Sequence, residues 1–382
     1  MPASPKEPYL LTPGPLTTSR ATKEAMLRDW GSRDTEFIAM NARVRDRLVE
    51  LVGGVGTHVT VPMQGSGTFA VEAMLGTFVP RNGKVLILVN GAYGKRMARI
   101  CDIIGRKFAV YETAEDTPPE PDRVAKALAA DEGVTHVAIV HCETTSGILN
   151  PLEEIAALVA RAGKRLLIDA MSAFGAIALD SRKTAFDAVA ASSNKCIEGV
   201  PGLGFVICRK AALEETKGNA HSLALDLHDQ WANMEKTKQY RFTPPTHVIA
   251  AFDRALAEHT AEGGVAGRGA RYRNNCRILV EGMRAMGFKT LLSDALQAPI
   301  IVTFHTPADP KFVFEVFYDR LREKGYVIYP GKLTVADSFR IGCIGHLGET
   351  EMNGALEAIR RTLAEMGVKT LASAAAPLAK TA

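Results

Sequence analysis

The sequence lacks the features that identify several common classes of protein. Its six cysteines are scattered singly, with no CxxC pair and no cysteine–histidine group at zinc spacing, which argues against a metal site and fits a reducing compartment. The net charge of +4 comes without a cluster of lysines and arginines, so we expect no nucleic-acid partner. No apolar run approaches the length of a membrane span, and the N-terminus has no apolar signal segment. We therefore expect a soluble, cytoplasmic protein without a membrane partner.

What the sequence does contain is a regular alternation of strand and helix patterns. The chain has 382 residues, of which 47% are hydrophobic and 23% charged, as in ordinary globular proteins. Continuous apolar runs at residues 84–89, 134–141 and 165–169 are typical of strands that are buried on both faces. Helical patterns separate these runs. The alternation predicts an α/β fold with a mostly parallel sheet.

The alternation changes character towards the C-terminal end, where the pattern favours a smaller α+β domain. Residues 218–240 are polar, and we predict an irregular segment there. The tail is a low-complexity stretch of alanine, proline and lysine and is predicted to be disordered. We expect an extended N-terminal arm over 1–19, a large domain over 20–264, a small domain over 265–368 and a disordered tail over 369–382.

A glycine loop follows the first predicted strand of the large domain. The strand, 59–63, leads into Gln-Gly-Ser-Gly-Thr at 64–68 and then into an apolar helix. A helix that begins directly after a strand presents free backbone N–H groups, and the hydroxyls of Ser66 and Thr68 add donors, which together suit a phosphate. A plain glycine turn with a Ser/Thr helix cap explains the same residues equally well.

Three further side chains follow predicted strands at positions where parallel sheets bind ligands. Tyr93 comes after 84–89 and could stack on a flat heterocycle or simply pack its loop. Asp169 ends an apolar run, where it caps the next turn or pairs with a cationic ring nitrogen. Lys195 follows a strand predicted at 186–190, and its alternatives are a solvated surface charge or an imine-forming amine.

Taken together in chain order, these residues match the needs of pyridoxal 5'-phosphate (PLP). Its phosphate requires N–H donors, its ring a stacking partner, its pyridine nitrogen an anion, and its aldehyde a lysine. Residues 11–15, 64–68, 90–94, 141–147, 169–175, 193–196, 241–243 and 339–342 resemble the motifs of the class V aminotransferases. The resemblance runs in unbroken order from about residue 9 to residue 366.

This resemblance implies a PLP-dependent transferase of fold type I, acting as a homodimer with shared active sites. Lys195 is similar to the lysine that binds PLP, and Asp169 to the partner of the pyridine nitrogen. Arg340 matches the arginine that holds the acidic group of the substrate, since its planar fork suits a carboxylate or phosphonate. The cofactor-binding residues implied are Ser66, Gly67, Thr68, Tyr93, Thr145, Asn194, and, from the neighbouring subunit, Tyr240 and Thr243. Arg33 is a second candidate for the phosphonate, with a solvated loop arginine as the alternative.

Within the family, the resemblance implies transamination of 2-aminoethylphosphonate with pyruvate, giving phosphonoacetaldehyde and L-alanine in phosphonate catabolism. An alanine– or serine–glyoxylate reaction is the alternative, because it would use the same cofactor site. A cysteine desulfurase is disfavoured because neither Cys276, in a predicted helix, nor Cys343, directly after 339–342, fits a mobile catalytic loop. A nucleotide-binding dehydrogenase is disfavoured because the glycine loop lacks the third glycine of GxGxxG.

Overall fold

The computed structural model describes residues 7–333 and 336–371. The first six residues of the predicted arm and residues 372–382 of the predicted tail lie outside this range. The helices are α1 Arg20–Glu24, α2 Thr35–Leu51, α3 Gly67–Phe78, α4 Ala92–Ile103, α5 Pro121–Ala130, α6 Leu152–Arg161, α7 Lys210–Glu214, α8 Leu227–Thr237, α9 Thr246–Ala261, α10 Gly264–Met286, α11 Phe314–Glu323 and α12 Glu349–Met366, with a 3₁₀ turn at Ala25–Leu27. The strands are β1 Tyr9–Leu10, β2 His58–Gln64, β3 Lys84–Val89, β4 Lys107–Glu112, β5 Val134–Val140, β6 Cys142–Glu143, β7 Ile148–Leu149, β8 Arg165–Asp169, β9 Ala188–Ser192, β10 Leu203–Arg209, β11 Ile301–His305, β12 Tyr326–Val327, β13 Tyr329–Pro330 and β14 Ser338–Gly342.

The chain folds into two compact units. The larger unit comprises Thr18–Glu143 and Leu149–Gly269, and the smaller comprises the described residues of Met1–Thr17, Thr144–Ile148 and Ala270–Ala382. No helix in the described ranges is long and apolar enough to cross a membrane.

A seven-stranded sheet organises the larger unit. Its strand order is β2-β10-β9-β8-β5-β3-β4, and β10 runs antiparallel to both of its neighbours while the other adjacent pairs are parallel. All strands except β10 therefore point the same way, and their carboxyl ends meet at one edge of the sheet. The mostly parallel sheet predicted from the apolar runs is confirmed.

Helices cover both faces of this sheet, which explains why its strands are apolar throughout. Along β5, Val137 and Ile139 belong to one buried cluster, and Ala138 and Val140 belong to another. Side chains of a strand alternate between the two faces, so each cluster lies on its own side of the sheet. Helices α2, α6 and α9 contribute to the first cluster, and α3, α4 and α8 contribute to the second.

The smaller unit is built on a three-stranded antiparallel sheet of order β11-β14-β13. Its core contains a group of aromatic rings around Phe339, which lies 5.7 Å from Phe304 and 5.6 Å from Phe288 between ring centroids. The N-terminal segment joins this unit through β1, which pairs with β12 in parallel. The predicted α+β character of the C-terminal part is confirmed.

The observed strand bounds agree best with the predicted ones where the apolar run is continuous. The strands Lys84–Val89 and Arg165–Asp169 have the predicted ends. The strand before Lys195 lies two residues later than predicted, at Ala188–Ser192, because its pairing with β10 continues to Ser192.

The prediction of an irregular segment over 218–240 was wrong, because this segment contains α8. The side chain of Asp226 caps the helix by accepting from the N–H of Asp229 at 3.0 Å. Leu227, Trp231 and Met234 are buried at helical spacing. The spacing of these three apolar residues indicates a helix, although the segment as a whole is polar.

Candidate functional site

Five side chains follow strands of the large sheet at the edge where the parallel strands end. Ser66 follows β2, Tyr93 follows β3, Glu143 follows β5, Asp169 ends β8, and Lys195 lies three residues beyond β9. Because these five strands all point the same way, their carboxyl ends lie at the same edge, where open α/β sheets bind ligands. The topology of the larger unit therefore collects at one edge residues that long stretches of chain separate in the sequence.

Asp169 is a buried carboxylate in a mixed electrostatic environment. Its Oδ1 accepts a hydrogen bond from the N–H of Met171 at 3.0 Å. Burial and, to a smaller extent, the charge of Glu143 raise its pKa, while the Met171 N–H, Arg96 and Lys195 lower it, and the net pKa is about 6. The site thus holds an anion that would be stabilised by a cationic group.

The start of α3 is shaped to accept an anion. Ser66 is the N-cap residue of this helix but makes no side-chain capping bond, so its hydroxyl is not used there. A Cβ atom on Gly67 would lie 2.3 Å from the sulfur of Met171, so a larger residue at this position would have to displace the Met171 side chain. The Thr68 hydroxyl accepts from Arg96 Nη1 at 3.2 Å and keeps its own hydrogen to donate. Backbone N–H groups, the helix dipole and a nearby arginine together favour a phosphate.

Tyr93 is fixed in place from two directions. The N–H groups of Tyr93 and Gly94 donate to Oε2 of the buried Glu143 at 3.2 and 3.3 Å. The carboxylate thus provides a hydrogen-bond acceptor for two N–H groups in the first turn of α4. The guanidinium carbon of Arg96 lies 4.6 Å from the centre of the Tyr93 ring. Arg96 therefore links the tyrosine to Thr68 at the start of α3. The stacking of Tyr93 on a cofactor ring stays a prediction.

Lys195 lies in a tight loop between β9 and β10, half-buried together with Asn194. The N–H of Glu198 donates to the Lys195 carbonyl at 2.8 Å, and the N–H of Gly199 donates to the Ser193 carbonyl at 2.8 Å. Glu198 has a φ of 64°, a left-handed conformation that costs a residue with a side chain about 1–2 kcal/mol. Backbone hydrogen bonds close the loop, and the surrounding structure holds Glu198 in a strained backbone conformation.

Arg340 and Thr145, both predicted site residues, belong to the smaller unit. Arg340 is buried on β14, and its Nη1 donates to the carbonyl of Thr144 at 2.9 Å. On the adjacent strand β11, the Thr303 hydroxyl donates to the carbonyl of Ser146 at 2.8 Å. The segment that contains the fully buried Thr145 is thus held to this sheet on both sides of the threonine.

The remaining predicted residues lie outside the strand-end group. Tyr240 packs against the core cluster that includes α2 and α9, and its buried hydroxyl has no hydrogen-bond partner among the described residues. Burial raises the pKa of this hydroxyl. Thr243 is exposed, as is the adjacent Phe242. Arg33 is also exposed, in the segment before α2.

Sequence reasoning missed Arg96 and Glu143, although each had a recognisable signal. Arg96 comes three residues after Tyr93, a spacing that brings two side chains together on a helix. Glu143 is a carboxylate three residues beyond the apolar strand β5, and Asp169 similarly ends the apolar run of β8. Glu143 was passed over because its partner is the start of another helix, which only the folded chain brings near.

Disulfides and clusters of metal-binding side chains are both absent from the described part of the chain. All six cysteines are free and buried. No group of three or more histidine, cysteine or acidic side chains in the described ranges could hold a metal ion.

Comparison with known proteins adds independent observations. The family model for Aminotransferase class-V matches residues 19–313. The chain is 56% identical over 370 residues to 2-aminoethylphosphonate–pyruvate transaminase 2 of Burkholderia lata, covering 97% of this chain and 98% of that protein. It is also 56% identical over 368 residues to 2-aminoethylphosphonate–pyruvate transaminase of Pseudomonas aeruginosa strain UCBPP-PA14, covering 96% and 99% of the two chains.

The fold is similar to that of solved aminotransferases at much lower identity. The crystal structure of pyridoxamine–pyruvate aminotransferase from Mesorhizobium loti superposes with a TM-score of 0.86 at 24% identity, covering 96% of this chain and 95% of that one. This likeness confirms the fold expected from the sequence.

Proposed function

The chain belongs to the class-V aminotransferase family, and we propose that it transfers the amino group of 2-aminoethylphosphonate to pyruvate with PLP as cofactor. The products would be phosphonoacetaldehyde and L-alanine, a reaction of phosphonate catabolism. Two relatives named for this reaction align with the chain over nearly their whole lengths, which supports this choice of substrates.

The observation that carries the proposal is the meeting of Lys195, Asp169 and the start of α3 at one edge of the large sheet. The donor set fits the cofactor. The N–H groups of α3 suit its phosphate, and Gly67 leaves Met171 room beside them. The buried carboxylate of Asp169 suits a protonated ring nitrogen, because a cation there would remove the unfavourable burial of its charge.

When bound, PLP would supply an aldehyde that takes up the amino group and a ring that accepts electrons from the reacting carbon. Lys195 would hold the cofactor through its amine and, once displaced by the substrate amine, would move a proton at the carbon that bears nitrogen. Asp169 would keep the ring nitrogen protonated. Tyr93 would support the ring, with Thr145 and Asn194 as further cofactor contacts.

Arg340 is proposed to bind the acidic group of the substrate. Its planar guanidinium offers donors in a fixed fork that matches a phosphonate or carboxylate. Contacts with the carbonyl groups of Thr144 and Pro330, at 2.9 and 3.1 Å, hold it in place. Arg33 is proposed as a secondary contact for the phosphonate, and its exposure leaves it available to a ligand.

We also propose a homodimer in which Tyr240 and Thr243 reach the cofactor phosphate of the neighbouring subunit. The exposure of Thr243 and of 51% of Phe242 supports an interface at this segment, since large exposed apolar side chains favour contact surfaces. Six free, buried thiols are compatible with the proposed cytoplasmic location, where disulfides are rare.

The test is an amino-donor screen on the purified protein reconstituted with PLP. With pyruvate as the acceptor, the donors are 2-aminoethylphosphonate and serine, and the product measured is alanine. Alanine is tested as a donor only with glyoxylate as the acceptor, where the product measured is glycine. We expect the phosphonate donor to give the highest kcat/KM. Faster turnover of serine or alanine with glyoxylate as acceptor would instead identify the glyoxylate reaction as the true one.

A matched variant tests the site itself. Lys195→Ala should lose both turnover and the visible absorbance band of the bound cofactor, because it removes the only amine proposed to bind PLP covalently. Retention of that band in the variant would contradict the assignment of Lys195. Lys210→Ala, which changes another lysine of the same unit at the start of α7, is the control and should leave the band unchanged.

A further inference from the structure

One arginine of the larger unit is buried completely and is not explained by the proposed chemistry. Arg268, in the second turn of α10, is 1% exposed. Its Nη1 donates to the backbone carbonyl of Cys196 at 2.5 Å, and its Nε donates to Oε2 of Glu262 at 2.7 Å. Because burying a guanidinium is costly without well-placed acceptors, these contacts must be well formed in the folded protein.

Both ends of the segment that follows Lys195 are within reach of this arginine. Cys196 directly follows the lysine, and the carboxylate of the buried Glu198 lies 3.4 Å from Arg268 Nη1. Glu198 is the residue with a left-handed backbone, so its φ of 64° must be imposed by its surroundings. The ion pair with Arg268 provides that constraint, together with the hydrogen bond from the Glu198 N–H to the Lys195 carbonyl.

A second contact connects the same helices to the loop that follows Asp169. His259, near the end of α9, donates from Nε2 to the carbonyl of Gly175 at 2.7 Å. Gly175 has a φ of 91°, and a Cβ atom there would lie 2.3 Å from Cδ1 of Ile197. The loop that follows Asp169 and the loop of Lys195 are therefore packed tightly against each other. His259 of α9 contacts the first loop, and Arg268 of α10 contacts the second.

We propose that Arg268 is a positioning residue for Lys195. By binding the Cys196 carbonyl and the Glu198 carboxylate together, it fixes the backbone on the C-terminal side of the lysine and directs its amine to the cofactor. The second acceptor, the Glu198 carboxylate, is needed because the contact with the Cys196 carbonyl alone would leave the loop free to rotate about that contact. This inference depends on the proposed cofactor role of Lys195.

The fork geometry of the guanidinium explains why arginine is needed at this place. Arg268 uses two of its nitrogens for two separate acceptors, Cys196 in the loop and Glu262 at the end of α9. A lysine ammonium is a compact charge that cannot span the same separation with fixed directions. Arg268→Lys therefore keeps the charge and loses the geometry.

The experiment compares Arg268→Lys, Arg268→Met and Glu198→Gln in the full-length protein. Each cofactor-free protein is titrated with PLP, and the Kd and the apparent pKa of the visible band are measured. Hydrogen–deuterium exchange of the cofactor-free proteins follows the amides of Glu198 and Gly199. For Arg268→Met we expect the Kd to rise roughly ten- to a hundredfold, the size of effect that hydrogen bonds to charged groups produce.

The expected pattern separates positioning from general destabilisation. The band pKa should shift and exchange at Glu198 and Gly199 should accelerate in Arg268→Met, with partial recovery in Arg268→Lys. Arg277→Met is the control, because Arg277 lies on the same helix in an exposed pair with Glu281 and should change none of the three readouts. If Arg268→Met does not fold, as judged by circular dichroism, Arg268→Lys and Glu198→Gln still carry the test.

Two results have distinct meanings. Wild-type Kd, band pKa and exchange rates in Arg268→Lys and Glu198→Gln would overturn the positioning role of Arg268 and leave the proposed function intact. A wild-type band that survives in Lys195→Ala would refute the proposed function. The exchange measurement would then still decide whether Arg268 holds the loop, since it needs no cofactor.

Discussion

Replacing Asp169 by asparagine should make the cofactor-free protein more stable at neutral pH. In the folded chain, burial and the neighbouring Glu143 raise the pKa of Asp169 from 3.8 to about 6. The folded state thus binds this proton more tightly than the unfolded state. The stabilisation is fully present below about pH 4 and is lost as the pH rises through about 6. Asparagine cannot ionise and should be free of this loss.

The magnitude follows from the size of the pKa shift. A rise of roughly two pKa units corresponds to about 3 kcal/mol of unfolding free energy between the two ends of the pH window. The amide oxygen of the substituted asparagine can still accept the hydrogen bond from the Met171 N–H, so the packing of this turn should survive. The variant should therefore equal the wild type near pH 4 and exceed it by about 3 kcal/mol at pH 8.

Tryptophan fluorescence during urea unfolding is the suitable assay. The chain has two tryptophans, Trp30 and Trp231, and both belong to the larger unit that contains Asp169. The signal therefore reports the relevant unit even if the two units unfold separately, which would invalidate a single global transition. Unfolding is measured between pH 4 and 8 without cofactor.

A half-buried aspartate, Asp180, provides the control. Arg182 lowers the pKa of Asp180 to about 2, so its contribution is present above about pH 4 and is lost only as the pH falls further. Asp180→Asn should differ from the wild type by a constant amount between pH 5 and 8. A difference between Asp169→Asn and the wild type that stays flat over this range, or an asparagine variant less stable at pH 8, would refute the reasoning.

Three other substitutions probe neighbouring parts of the site. Gly67→Ala should lower the free energy of unfolding by about 1–3 kcal/mol and weaken PLP binding, because the new methyl group contacts the Met171 sulfur. Calorimetry should show that adding Met171→Ala restores part of the lost stability. Glu143→Gln should lower the pKa of Asp169, because it removes a neighbouring negative charge. In urea unfolding, the loss of stability with rising pH should therefore be complete at a lower pH in this variant than in the wild type. An unchanged pH dependence would contradict the effect of Glu143 on Asp169. Arg340→Lys should raise the KM for the acidic amino donor by roughly tenfold with a smaller effect on kcat, and equal losses in both would argue against a binding role.

Much of the larger unit could be predicted from the sequence because its sheet is buried on both faces. The interior of a strand that is buried on both faces is apolar throughout, so Lys84–Val89 and Arg165–Asp169 appear as continuous apolar runs with charged residues at their ends. The same logic made Asp169 and Lys195 visible, since a charged residue beside such a run is costly unless it has a purpose.

Helix α8 and the role of Glu143 could not be predicted from the sequence in this way. The buried apolar stripe of α8 is only Leu227, Trp231 and Met234, so average polarity outweighed its periodicity. The partner of Glu143 is the backbone of Tyr93 and Gly94, about fifty residues away, and no local pattern reveals a bond between a carboxylate and a distant helix start.

The sequence by itself determined the type of fold and the identity of the candidate reactive residues, because burial and special chemistry leave their trace in residue type. The tertiary structure alone decided how these residues are supported. Arg268 looks like an ordinary arginine in a polar helix, and only the folded chain brings it to Cys196 and Glu198. Strand direction places Asp169 and Lys195 at one edge, whereas the strength of their support depends on contacts between residues far apart in the chain.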